Sequence, residues 1–245
     1  MDAWGDAGSE QLTVLHEADG HLRIQDTGSE RSVVAAGPLP DPGSGDSACF
    51  DDAYTRTDYR ETDVHQWFIN PSGRPGNITA AAAQSAMVNG ANNIVNARSD
   101  CGDFAPGNSP TGTRHNFAGT TTNRPNITSS NQCTDPDGVN TRGWGPGNSD
   151  FVAVNCSWYY ILTYEASEAD HLYNTNVSWY TGGSSCVLAY DLESVSTHEW
   201  GHTFGFDHVS EDTHPTMTMS TNSSYCDTSA RTLGRGDALG MYSIY

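Results

Sequence analysis

Eleven consecutive residues constrain this chain more than any other feature: His198-Glu199-Trp200-Gly201-His202-Thr203-Phe204-Gly205-Phe206-Asp207-His208 spell HExxHxxGxxH. On a helix, positions four apart lie one turn apart on one face. His198 and His202 therefore present two imidazoles to a single metal ion, and Glu199 leans toward its open side. Gly205 permits the positive φ of a sharp break after the helix, so the chain turns back and delivers His208 as a third ligand. Three nitrogen ligands leave the fourth position of a tetrahedral zinc to water, which marks a catalytic rather than a closed structural site. At this chain's own residue frequencies the motif would arise by chance on the order of 10⁻⁴ times or fewer. The bland alternative is a helix with two solvent-facing histidines.

A chain of 245 residues and 26.3 kDa has room for one domain plus a tail. The longest nearly apolar stretch, Ile78 to Val88, is interrupted by Thr79, Gln84 and Ser85 and falls short of the ~18 residues a membrane helix needs. Thirty acids face eleven bases, for a formal charge of −19, and every base is arginine. Nucleic acid and anionic membrane surfaces, which are held by basic patches, are excluded as expected partners. Nothing in the sequence calls for a second subunit, and a monomer is expected.

The six cysteines (Cys49, Cys101, Cys133, Cys156, Cys186, Cys226) are scattered, with no CxxC pair. They read as three structural disulfides and hence as a secreted, extracellular chain, with buried free thiols as the alternative. The topological pairing is Cys49 with Cys101, Cys133 with Cys156, and Cys186 with Cys226. The last would tie the segment before the motif to the segment after it. Sequons at Asn77, Asn126, Asn155, Asn176 and Asn222 fit export, although Asn, Ser and Thr are simply abundant here. The opening Met1-Asp-Ala-Trp has neither a basic nor an apolar signal region, so an export signal is expected to lie outside this sequence.

Residues 1–48 contain no cysteine and end in the run Gly37-Pro-Leu-Pro-Asp-Pro-Gly-Ser-Gly45, which reads as a linker with a boundary near 46–49. A disordered arm is the leading expectation for this segment. A pro-segment remnant, and a hairpin formed by Leu12-Thr-Val-Leu and His21-Leu-Arg-Ile around Ala18-Asp-Gly20, are the other readings. From 49 to 245 strands and helices alternate. His65-Gln-Trp-Phe-Ile, Phe151-Val-Ala-Val, Trp158-Tyr-Tyr-Ile-Leu and His171-Leu-Tyr are strand candidates. Helices are expected over Ile78 to Arg98 despite Gly90, over Leu192 to Thr203, and over Ala238 to Ile244 with Asp237 as cap.

The zinc motif resembles that of the metzincin metallopeptidases. His65-Gln-Trp-Phe-Ile-Asn, the helix near 78–98, Phe151 to Asn155 and the terminal Gly236-Asp-Ala-Leu-Gly-Met-Tyr are similar to secreted bacterial, matrixin-like members in particular. The resemblance covers Cys49 to Tyr245, read as the catalytic domain. It implies an α+β fold: a twisted, mostly parallel sheet with an antiparallel edge strand, a long backing helix, a zinc-binding active-site helix and a short C-terminal helix. It also implies a methionine turn beneath the metal, for which Met219 is favoured and Met217 remains open. Three departures stand out. Val209 follows the third histidine where matrixins usually have serine, Thr221 replaces the tyrosine that some relatives carry after the turn, and no cysteine precedes Cys49 to act as a thiol latch.

The expected activity is that of a secreted zinc endopeptidase holding one catalytic Zn²⁺ on His198, His202 and His208, with Glu199 as general base. The substrate would be a protein or peptide; the resemblance implies that it lies extended along an edge strand, for which Phe151 to Asn155 is the candidate, with an ordinary buried strand as the plain alternative. The rival from another class is a zinc-stabilised binding or adhesion module without peptidase activity. A zinc hydrolase of a non-peptide amide is a second. His171 and His214 could serve a second metal, but hydrogen-bonded histidines are the plainer reading. Asp51-Asp52 and Asp135-Pro-Asp-Gly could hold Ca²⁺, although neither has EF-hand spacing.

Overall fold

The computed structural model describes residues 13–16, 21–25, 47–102, 115–148, 151–183, 185–221 and 223–245. Its eleven strands are β1 (Thr13–His16), β2 (His21–Gln25), β3 (Thr55–Arg56), β4 (His65–Ile69), β5 (His115–Thr120), β6 (Asn140–Gly145), β7 (Ala153–Tyr160), β8 (Ala166–Asn174), β9 (Trp179–Tyr180), β10 (Tyr190–Asp191) and β11 (Phe206–Asp207). Three α-helices accompany them: α1 (Ala80–Val95), α2 (Leu192–Thr203) and α3 (Arg235–Ile244).

Seven strands form one sheet in the order β1-β2-β7-β8-β6-β4-β5. Strands β5, β4, β6 and β8 are mutually parallel, β7 runs antiparallel to β8, and the β1–β2 hairpin continues the antiparallel side. This is the α+β arrangement that the family resemblance implies. Residues 13–16 and 21–25 pair antiparallel, as in the hairpin reading of the first segment. The Pro/Gly run at 37–45 lies outside the described residues.

Both long helices cover one face of the sheet. Helix α1 starts where the Thr79 hydroxyl accepts the Ala82 N–H at 3.1 Å, and it buries Ala83, Ala86, Met87, Gly90, Ala91 and Ile94. That spacing gives one apolar stripe per turn facing inward. Its glycine lies at the crossing: a Cβ on Gly90 would stand 2.7 Å from Ser196 Cβ and 2.8 Å from the Thr197 nitrogen. Only a residue without a side chain lets α1 approach α2 so closely. The shared core is built on Trp67, Met87, Ile94, Trp144, Tyr173, Trp179, Val195, Trp200 and Phe204.

On the opposite face Phe151, Val154, Cys156, Trp158 and Leu172 form a smaller cluster, joined by Ile127 and Cys133. The disulfide Cys133–Cys156 ties the covering loop to β7, and Cys49–Cys101 and Cys186–Cys226 complete the set. No helix of the described residues is long and apolar enough to cross a membrane.

Two local expectations are corrected. Phe151-Val-Ala-Val and Trp158-Tyr-Tyr-Ile-Leu are not separate strands: β7 runs unbroken from 153 to 160, because Asn155, Cys156 and Ser157 all pair with β8, and Ile161-Leu162 belongs to the turn that follows. Helix α3 begins at Arg235, not Ala238. Asp237 is its third residue rather than its cap, and its carboxylate accepts the Gly234 N–H at 3.2 Å from inside the first turn.

Candidate active site

The Asp191 carboxylate opens α2 by accepting the Ser194 N–H at 2.8 Å, and Arg231 grips the same carboxylate with Nε at 2.9 Å and Nη2 at 2.5 Å. The helix ends at Thr203 with Phe204 as its cap, and Gly205 beyond it, with a φ of +93°, turns the chain back. A side chain there would meet the Tyr59 carbonyl at 2.7 Å, so conformation and space both require glycine.

This reversal brings the three motif histidines together. The Nε2 atoms of His198 and His208 are 3.0 Å apart, and His202 Nε2 is 3.1 Å from each of them. Nitrogens around a tetrahedral zinc, each about 2.0–2.1 Å from the ion, stand roughly 3.3 Å from one another, so the donor set fits the metal. The ring tautomers agree. His198 Nδ1 donates to the Thr218 carbonyl at 2.8 Å and His202 Nδ1 to the Phe206 carbonyl at 3.0 Å, which leaves each Nε2 lone pair facing the centre. Burial holds His198 well below the usual histidine range, favouring the neutral form a metal requires. Three unprotonated nitrogens at this spacing repel one another unless a cation joins them.

Glu199 is fully buried beside this cluster. Beneath it lies Met219: a Cβ on Gly201 would fall 2.3 Å from the Met219 sulfur, whereas Met217 packs against Gly234. The turn that carries Met219 is held by Asp237, which accepts the N–H of Thr218 at 2.7 Å and of Met219 at 3.4 Å. Burial pushes that carboxyl up to about 7. No spacing pattern announces this role, because it joins residues 18 and 19 positions apart.

The remaining candidates lie elsewhere. His171 is fully buried and bonded to Thr203 and Tyr173, while His214 Nδ1 meets an Asp51 carboxylate oxygen at 2.7 Å. The acidic stretches are engaged by protein donors: Asp51 takes the Ala53 N–H, Asp52 pairs with Arg235, and Asp137 takes the Asn123 amide and the Val139 N–H. Asn155, at the end of the proposed substrate strand, reaches the Glu199 carbonyl at 3.4 Å and so sets β7 against α2. Strand β2 pairs with β7 only along Ser157 to Tyr160.

No curated protein matches the chain. The family model of matrixin, a peptidase family, matches residues 7–245. Nearly the whole sequence is covered, including the α2 motif and the turn beneath it, and the chain therefore belongs to the matrixin family of metzincin-type, zinc-dependent endopeptidases.

Proposed function

We propose that the protein is a secreted endopeptidase in which His198, His202 and His208 hold one zinc ion and Glu199 is the general base. The observation that carries this reading is the convergence of three Nε2 atoms within 3.0–3.1 Å, with Glu199 buried at their side. Bound there, zinc supplies the polarisation that brings the pKa of water from about 15.7 toward 7. Glu199 takes the proton of the attacking water and passes it to the leaving amine, help worth typically about 10²–10⁴-fold. Met219 packs under the histidines and is not a ligand. The substrate strand pairs with the outer edge of β7 near Asn155, where backbone hydrogen bonds give affinity with little side-chain selectivity.

Secretion is supported by the three disulfides. We assign residues 49–245 to the catalytic domain and 1–48 to an N-terminal arm. The test is Glu199→Gln in the full chain. Zinc content and fold should be retained while casein hydrolysis is lost, and a chelator should abolish the wild-type activity. Turnover by Glu199→Gln would remove the general-base assignment, and a chelator-insensitive wild type would remove the zinc.

A further inference from the structure

Arg142, His171 and Asn155 sit on three neighbouring strands, β6, β8 and β7, and lie directly opposite one another in register. All three are buried, and all three reach one atom of the zinc helix, the Thr203 hydroxyl. Asn155 Nδ2 is 2.9 Å from it, His171 Nε2 2.8 Å and Arg142 Nη2 3.4 Å. The guanidinium is fully buried and makes no salt bridge among the described residues, with Asp170 and Glu61 acting on it only from a distance. It lies 3.9 Å over the Trp200 ring and donates from Nη1 to the Ala169 carbonyl at 2.7 Å.

Counting protons gives this cluster a direction. A hydroxyl has one proton and two lone pairs, and Arg142 and the Asn155 amide can only donate to it. The Asn155 carbonyl oxygen is taken separately, by the Ser157 hydroxyl at 2.7 Å. Both lone pairs of Thr203 are thereby filled, and its proton goes to the nearest acceptor, His171 Nε2, rather than to the Glu199 carbonyl at 3.5 Å. His171 then carries its own proton on Nδ1, which faces the Tyr173 hydroxyl at 3.3 Å, and Tyr173 donates onward to Ser196 at 2.9 Å. Burial and the nearby Arg142 hold His171 well below the usual histidine range, consistent with this neutral ring. Hydrogen bonds aligned head to tail strengthen one another. Both ends of the chain return to α2: Thr203 is four residues after Glu199 and Ser196 three before it.

We infer that Thr203, His171 and Tyr173 are positioning residues, forming a one-way hydrogen-bond relay from Arg142 that pins the zinc helix on either side of Glu199 and so aims its carboxylate. The inference rests on Glu199 being the proton acceptor. Thr203 meets β7 through the Asn155 side chain, not through the backbone edge assigned to substrate, so the relay acts on the chemical step and leaves substrate binding alone.

The experiment compares Thr203→Val, which keeps shape and deletes the hydroxyl, with Thr203→Ser, which restores it, and with Tyr173→Phe. Zinc content, kcat and KM are measured on a quenched fluorescent peptide with the zinc-loaded full chain. Misplacing a catalytic group by a fraction of an ångström should lower kcat of Thr203→Val by about 10-fold or more with zinc retained and KM within about 2-fold. Thr203→Ser should recover to within about 3-fold of wild type, and Tyr173→Phe should lose about 3-fold, again in kcat alone. Wild-type kcat in Thr203→Val overturns the relay, as does a loss that follows zinc content or appears in KM. Should Thr203→Val fail to fold, Tyr173→Phe decides by the same criteria. Glu199→Gln is run alongside: activity there removes the general base, whereas an inactive Glu199→Gln beside a fully active Thr203→Val removes the relay only.

Discussion

Replacing Gly90 with alanine sets two effects of opposite sign against each other at the crossing of α1 and α2. In an isolated helix the change would stabilise by about 0.8–1 kcal/mol. Here the new methyl would stand 2.7 Å from Ser196 Cβ, 2.8 Å from the Ser196 carbonyl carbon and 2.8 Å from the Thr197 nitrogen. Carbon contacts relax at about 3.5–4.0 Å, so α1 must retreat by roughly 1 Å. Two of the three opposing atoms are backbone, and no rotamer change relieves them. The retreat loosens Met87, Ala91 and Ile94, all fully buried, and stretches the 3.1 Å bond from Trp200 Nε1 to the Met87 carbonyl. Overpacking of this kind costs about 1–3 kcal/mol, and the backbone clash places it at the upper end. The net destabilisation is about 2 kcal/mol, which for a chain of this size lowers Tm by roughly 4–8 °C. Differential scanning calorimetry would measure it beside Ser85→Ala, an exposed position of the same helix where propensity acts alone and Tm should hold or rise by roughly 1–2 °C. A Gly90→Ala protein melting at or above wild type would refute the close-approach argument.

Three further outcomes are expected. The Cys186→Ser/Cys226→Ser protein should lose up to about 4 kcal/mol, the chain-entropy value for the 40-residue separation, in denaturant unfolding, and its activity should fall with it. Burial raises Asp170 to about 8, so its contribution to stability is complete below the unfolded carboxyl pKa and is lost as pH rises toward 8. The buried histidines His65 and His115, lowered to about 4, contribute fully above pH ~6.5 and leave that window flat. Asp237, raised to about 7, adds to the fall only below that pH, so between pH ~7 and 8 stability should fall by up to about 1.4 kcal/mol per unit through Asp170, and Asp170→Asn should flatten that slope in urea titrations. The amides of Asn77, Asn126, Asn155 and Asn176 already donate to the Trp179 carbonyl, Glu168, Thr203 and the Gly147 carbonyl, so intact-mass analysis of protein from a glycosylating host should find no glycan on them.

What could be read from the sequence was local. The motif on α2, the apolar stripe of α1 and the alternation His65, Trp67, Ile69 in β4 each lie within one element, where spacing alone decides which side chains share a face. Strand register and hydrogen-bond convergence do not lie within one element. Arg142 carried no signal, since nothing in Asn140–Gly145 shows that its guanidinium will stack on Trp200, 58 positions away. Asp237 looked like an ordinary cap because the Thr218 and Met219 N–H groups it holds belong to a different segment. The docking of β2 on β7 was equally hidden, for a short hairpin does not announce which edge will take it.

The bond between Cys186 and Cys226 has a topological consequence for a protein that must coexist with peptidases, itself included. It closes a ring of chain that contains α2, His208, Met217 and Met219, so every residue assigned to the metal site lies on one covalent cycle. The turn at 210–216 is a largely exposed stretch of that ring, and accessible turns are where nicking concentrates. One cut there turns the ring into two arms still joined at their roots: His198 and His202 on one, Met219 on the other, neither able to diffuse away. Such a nicked molecule keeps its full mass on a non-reducing gel and falls into two fragments only when reductant is added.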